Sequence, residues 1–193
     1  MTASTWAGPV LAVATWWTLG AGGAPEFRPT GDAADRPHVR SVAADTTLTV
    51  QRGDELTLLD LEGDVTVRAW GRDEVRVVDA RDASEAVPLR RTDGGVTLAG
   101  RDRNRRLRVE VPAWLPVSVR GRDLSVEVRG TRARLAVRTL EGPVVLVDVE
   151  GEIDVHSVDG EIRAEGVAGR VRLRSVDEDV HVRGARGWLH VRS

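Results

Sequence analysis

The chain has 193 residues, 41 % of them hydrophobic and 4 % aromatic, with a formal net charge of −2. That size holds one domain and a short appendage, and so small a charge creates no global field to select nucleic acid or a membrane. All 28 basic residues are arginine and there is no cysteine, which excludes disulfides, thiolate zinc sites, iron–sulfur clusters and cysteine nucleophiles.

No charged side chain precedes Glu26. The apolar run WAGPVLAVATWWTLGAGGA makes residues 1–24 a secretory signal peptide cleaved near Gly23 or Ala24, or else a retained membrane anchor. Either fate places the remainder outside the cytoplasm: periplasmic, secreted or membrane-anchored. Residues 25–45, rich in Pro, Ala, Gly and Asp, read as a flexible linker. The remaining domain, residues 46–193, divides into irregular strands over 46–120 and regular repeats over 121–193.

From Thr46 the pattern is that of strands. TTLTV, ELTLLDL, DVTVRAW and EVRVVDA alternate with period two or form short apolar runs, separated by RGD, EGD and GRD turns. VPLRRTDGGVTLAG predicts a hairpin turning at Asp93, Gly94 and Gly95. RLRVEV, LPVSVRG and LSVEVRG follow, with a stiff corner where Pro112 and Pro116 bracket Trp114.

The last third repeats every nine residues. Gly142, Gly151, Gly160, Gly169 and Gly187 fall on one grid, with Glu178 at its single exception. A short fixed period marks stacked units that bury their apolar sides against each other. Within each unit the second and fourth positions are apolar, as in Val144 and Leu146 or Ile153 and Val155, and are expected inside. The seventh (Leu140, Val149, Val158, Val167, Val176, Ala185) is expected inside as well, beyond a bend. Glycine at the ninth suits a turn with positive φ. The sixth position alternates between hydroxyl residues (Thr139, Ser157, Ser175, Ser193) and Gly or Asp (Gly130, Asp148, Gly166, Gly184). The coil is therefore eighteen residues long, with two strands per turn. The predicted fold is all-β, a single-stranded β-solenoid with parallel pairing between coils.

The ordered combination of short strands ending in S-x-x-G or G-x-x-G with EGDVTVRAWGRDEVRVV (62–78) and VEVPAWLPVSVRGRDLSVEVRG (109–130) resembles the bacterial putative adhesin domain family, whose function is unknown. The resemblance covers residues 46–193. It implies an extracytoplasmic β-solenoid and supplies no catalytic residues.

Three constellations invite chemistry. His156, Ser157 and Asp159 have the right types for nucleophilic catalysis, but Arg174, Ser175 and Asp177 stand in the same places one coil later. They are column members rather than a catalytic set, and neither a positioned base nor an oxyanion hole is indicated. Glu141, Asp159 and Asp177 form a carboxylate ladder that could in principle hold calcium. The second glycine and fixed aspartate of calcium-binding β-roll repeats are missing, so no metal and no cofactor is expected. Arg138, His156, Arg174 and Arg192 form an outward column, and Arg101, Arg103, Arg105, Arg106 and Arg108 a denser cluster. Guanidiniums so arrayed can grip acidic glycans, envelope polymers or lipid headgroups; with few aromatics among them, single-stranded nucleic acid is not expected.

Trp188 in the last unit is expected to fold over the final coil as a cap; the alternative is edge-to-edge pairing with a second molecule. These features predict an exported, non-enzymatic, adhesin-like binding or scaffold module at the bacterial cell envelope. The competing readings are a scaffold that stacks end to end and a polysaccharide-processing β-helix enzyme.

Overall fold

Eighteen is the number that organises the C-terminal half of the protein. The computed structural model describes residues 45–80, 87–100 and 105–193. The predicted signal or anchor (1–24), nearly all of the predicted linker (25–45), and Arg101 and Arg103 lie outside the described residues. Among the described residues there is no helix, and the strands join in one fourteen-stranded mixed sheet. The protein is all-β, as its period-two patterning predicts.

The strands are β1 (Asp45–Thr49), β2 (Glu55–Trp70), β3 (Glu74–Asp79), β4 (Leu89–Thr92), β5 (Gly95–Ala99), β6 (Arg105–Pro112) and β7 (Val117–Arg129). After them come β8 (Leu135–Glu141), β9 (Val144–Val147), β10 (Glu150–Asp159), β11 (Ile162–Glu165), β12 (Ala168–Arg174), β13 (Val180–Arg183) and β14 (Arg186–Arg192). Two parallel ladders run through the repeats. In the first, Val117 of β7 pairs with Leu135 of β8, Leu135 with Ile153 of β10, Ile153 with Val171 of β12, and Val171 with Leu189 of β14. In the second, Val126 of β7 pairs with Val144 of β9, Val144 with Ile162 of β11, and Ile162 with Val180 of β13. Every step is eighteen residues. The in-register column begins at Val117, slightly before the boundary the repeat alone suggests.

Inward residues of both ladders meet in one hydrophobic core. Val144, Ile153, Ile162 and Val171 are all buried in it. Full burial of each such side chain is worth roughly 1.5–3 kcal/mol, so a thin cross-section still gains stability rung by rung.

The seventh position departs from the expected pattern. Val149 and Val167 are buried, but Leu140 and Val176 are 44 % and 49 % exposed. The two half-units bend differently. After the first-ladder strands the chain stays extended for one more inward residue, so the hydroxyls of Thr139, Ser157 and Ser175 are buried. After the second-ladder strands it turns at once through left-handed residues: Gly130, Asp148, Gly166 and Gly184 have φ of 72°, 53°, 65° and 66°. These turns stack, with the Gly130 amide donating to Val147 O, Asp148 to Glu165 O and Gly166 to Arg183 O. The alternation at position six thus separates two bends.

Of the nine-residue glycines, Gly151, Gly169 and Gly187 have the expected positive φ, 128°, 108° and 98°, but sit inside β10, β12 and β14 in register with one another. Gly142 lies at the bend after β8, with φ of 97°. Gly160, after β10, is absent from the positive-φ glycines, and a different constraint holds it.

The upstream strands extend the same columns. Leu56 and Leu58 of β2 pair with Val117 and Val119 on one side and with Val96 and Leu98 of β5 on the other. Farther along β2, Val65 and Val67 pair with Val126 and Val128 of β7 and with Leu107 and Val109 of β6. ELTLLDL and DVTVRAW are not separate strands. Asp60 and Gly63, with φ of 53° and 110°, bend the chain without taking it out of β2. The β4–β5 hairpin forms as predicted, with Thr92 opposite Gly95. Antiparallel pairing of β1 on β3 and of β3 on β6 completes the sheet.

Candidate functional site

Side chains that alternate with the core point outward, so each ladder has an outer face. The first carries Arg120, Arg138, His156, Arg174 and Arg192 in one column, each paired in register with the next. Beside it run Ser118, Ala136, Asp154, Arg172 and His190. With Arg134, Glu152 and Arg170, the face from Val117 to Arg192 holds seven arginines against two carboxylates. An excess of five positive charges therefore sits on one surface of a protein whose net charge is −2.

Little on this face neutralises them. Arg172 approaches Glu152 at 3.5 Å, an exposed contact. The side chains of Arg138, Asp154, Arg174 and Arg192 make no ion pair or hydrogen bond among the described residues. Like charges directly opposite in a ladder are destabilising by some tenths of a kcal/mol each. His156 separates Arg138 from Arg174 in the column.

The outer face of the second ladder is arranged differently. Arg129 pairs with Glu127, and Glu161 lies 2.7 Å from Arg163 Nε and 3.4 Å from His181 Nε2. Glu165 lies opposite Arg183 in the register of β11 and β13. Cations here are met by carboxylates, and the face is close to neutral.

Open hollows follow the arginine column. One, of about 460 Å³, is lined by Arg138, Asp154, His156, Arg172, Arg174, His190 and Arg192, with the backbone of Val155 and Leu173 beneath. Another, of about 210 Å³, is lined by Arg120, Arg134, Arg138 and Asp154 with Glu55 at its far side. Of the arginine-rich cluster, Arg105 reaches Asp79 at 3.9 Å and Arg106 reaches Asp64 at 3.3 Å, so these two serve the sheet's own carboxylates.

The other constellations are not brought together as sites. Ser157 is buried and its hydroxyl has no hydrogen-bond partner, whereas His156 faces the open column. Asp159 pairs with Glu141 in the ladder, but the Asp177 amide donates to Val158 O where the chain bulges away from β10. No group of three carboxylates or histidines able to hold a metal occurs among the described residues.

Trp188 does not cap the last coil. It lies on the outer face, 51 % exposed, stacked on His190 at 5.8 Å and 11°, with the Arg172 guanidinium 5.5 Å from its ring centre. Strand geometry explains this: Trp188 is in register with Arg170, an outward position, so its ring cannot reach the core end. Leu189 and Val191 are left 40 % exposed. Trp188 and His190 are neighbours on one face of β14, but Arg172 joins them from β12, a contact across rungs that one unit of the sequence does not display.

The fold and this face define an all-β protein that presents a repetitive, cationic sheet surface. No family model and no curated protein matches the chain. Among solved structures it is similar to a putative cell adhesion protein from Clostridium sporogenes, at 10 % identity and a TM-score of 0.39, over 78 % of this chain and 98 % of that one.

Proposed function

We propose that this chain is an exported, non-enzymatic β-solenoid whose arginine face binds anionic polymers or headgroups at the bacterial cell envelope, in the manner of an adhesin or scaffold module. The solenoid reading rests on the two parallel ladders, which advance together by eighteen residues and share one core. The apolar stretch before Glu26 supports export. The buried Ser157 and the open, shallow hollows speak for surface recognition rather than catalysis.

One observation carries the binding reading. Arg138, Arg174 and Arg192 stack without counter-charges, while the opposite ladder pairs its arginines. A fold that tolerates like-charge repulsion on one face and cancels it on the other retains that face for an external anion. Guanidiniums suit the task, because each presents a planar fork to a carboxylate or phosphate.

Binding of the full chain to acidic polysaccharides, polyphosphate-type polymers and anionic lipid vesicles tests this. Arg138→Glu with Arg174→Glu is expected to weaken the binding at least about tenfold, a loss of about 1.4 kcal/mol. Arg129→Glu with Arg163→Glu, on the other ladder, is expected to leave it nearly unchanged. Equal losses from both pairs would refute a dedicated face.

A second reading is end-to-end homo-association. The outer edge of β14 has no strand partner among the described residues, and Leu189 and Val191 are exposed beside it. Open edges template further strands. Light scattering across protein concentration tests it: growth in mass that Leu189→Arg abolishes supports assembly, and a constant monomer mass rejects it.

A further inference from the structure

The two hollows on the first ladder are one feature. Both are lined by Arg138 and Asp154. Adjoining at these two residues, the hollows follow one line across β7, β8, β10, β12 and β14, a trough that runs from Arg120 to Arg192. A linear ligand lying in it would run across the strands and meet a new rung about every 4.8 Å.

We propose that this trough holds a single chain of an acidic polysaccharide, with sugar carboxylates on the arginine column and one sugar ring against Trp188. The proposal rests on the anion-binding reading of the face and narrows it to one class of ligand. Three features select that class. The column offers guanidiniums at the spacing of one rung, interrupted once at His156, which suits a polymer with one negative charge per unit. Each guanidinium can grip a carboxylate through two parallel hydrogen bonds.

Asp154 supplies the second feature. It is an unpartnered carboxylate in the trough itself, between arginine-bearing rungs. Toward a bare polyanion such as polyphosphate it is repulsive. Toward a sugar it is an acceptor for hydroxyl hydrogens, which a polysaccharide has and polyphosphate lacks. The third feature is the platform at one end of the trough. His190 lines the trough and stacks on the half-exposed Trp188 ring. A flat aromatic surface beside charged donors fits the apolar face of a pyranose. One such platform does not fit single-stranded nucleic acid, which calls for a succession of them. A lipid bilayer presents a plane of headgroups rather than a single line of charges.

The test is calorimetric titration of the full chain with galacturonic acid oligomers of defined length, their methyl esters, and polyphosphate of matched length. Affinity for the acidic oligomers is expected to rise with length and level off at about five units, one per rung of the trough. The neutral esters are expected to bind at least about tenfold more weakly. Trp188→Ala and Asp154→Asn, both on the outer surface, are expected to weaken oligogalacturonate about fivefold or more. Neither should weaken polyphosphate, and Asp154→Asn should tighten it. Unchanged thermal melts of both variants keep the comparison one of binding.

Polyphosphate binding as tightly as oligogalacturonate, with Trp188→Ala silent, would overturn the polysaccharide assignment and leave the anion-binding face intact. Tight binding to anionic vesicles with no length dependence among the oligomers would do the same. Absence of binding to every one of these anions would overturn both.

Discussion

Gly160 packs its α-carbon against the carbonyl oxygen of Gly142, one rung below. A Cβ on Gly160 would come within 3.0 Å of that oxygen, closer than real Cβ atoms approach, and would also crowd Ser157 Oγ. The constraint is steric, since Gly160 is not among the positive-φ glycines. Gly160→Ala is therefore expected to destabilise the protein by about 1–3 kcal/mol, the usual cost of overpacking. Gly94→Ala, with open space around its Cβ position, is expected to change stability by less than about 0.5 kcal/mol. Urea denaturation of the two variants measures the difference.

Val155 and His156 are neighbours in β10 that face opposite ways. Val155 is in the core and His156 lines the outer trough. Val155→Asp buries a charge with no partner and is expected to cost about 3–5 kcal/mol. His156→Ala should stay within about 0.5 kcal/mol of the parent. Thermal melts of similar midpoint for both would show that the inward assignment is wrong.

The buried hydroxyls of the first ladder are not equivalent. Ser175 Oγ donates to Gly160 O at 3.2 Å, and Thr139 Oγ1 donates to Glu141 O at 2.6 Å. Ser157 Oγ has no partner. Ser175→Ala is expected to cost about 1 kcal/mol, a typical net hydrogen bond. Ser157→Ala should be neutral or stabilising, because it removes an unsatisfied buried polar group. Denaturant midpoints of the two variants should move in opposite directions, or only that of Ser175→Ala should move.

Asp54 gives the fold an acid-sensitive element. The Gln51 amide donates to its Oδ2 at 2.9 Å, desolvation opposes this, and Arg91 adds a smaller lowering through a hydrogen bond of 3.2 Å. The carboxyl is held below its ordinary range, the Gln51 hydrogen bond being the main cause. A carboxyl lowered on folding contributes stability that is complete above its unfolded value of about 3.9. That contribution is lost as the pH falls through the lower folded value. Asp54→Asn is expected to reduce stability more at pH 7 than at pH 2. Chemical denaturation at the two pH values measures this, and an equal effect at both would contradict it.

Much of this was legible in the sequence because a strand's alternation and a coil's period are local quantities. Val144, Ile153, Ile162 and Val171 could be placed inside, and Arg138, His156 and Arg174 in one column, by counting alone. The exposed Leu140 and Val176 were not legible, since apolar character marks position seven in both half-units while the bend that buries it occurs in only one. The pairing of Leu56 with Val117 was hidden for another reason. It joins segments separated by an insertion that carries β3 to β6, and a periodic reading sees only consecutive units. The pairs Arg129–Glu127 and Arg163–Glu161 lie within single units, but the isolation of Arg138 and Arg174 depends on what neighbouring rungs place beside them, which no single unit displays.

The eighteen-residue rung underlies the arginine column, the trough and the core alike, and chain deletion tests it most directly. Removing residues 152–169 takes out one whole rung and lets Val171 pair with Leu135 and Val180 with Val144. Removing residues 152–160 takes out half a rung and sets Ile162, with its left-handed Gly166 turn, where Ile153 and Ser157 belong. The expected result is a cooperative melt and intact strand circular dichroism for the eighteen-residue deletion, and loss of both for the nine-residue one. Equal tolerance of the two deletions, or collapse of the longer while the shorter survives, would contradict the two-strand rung.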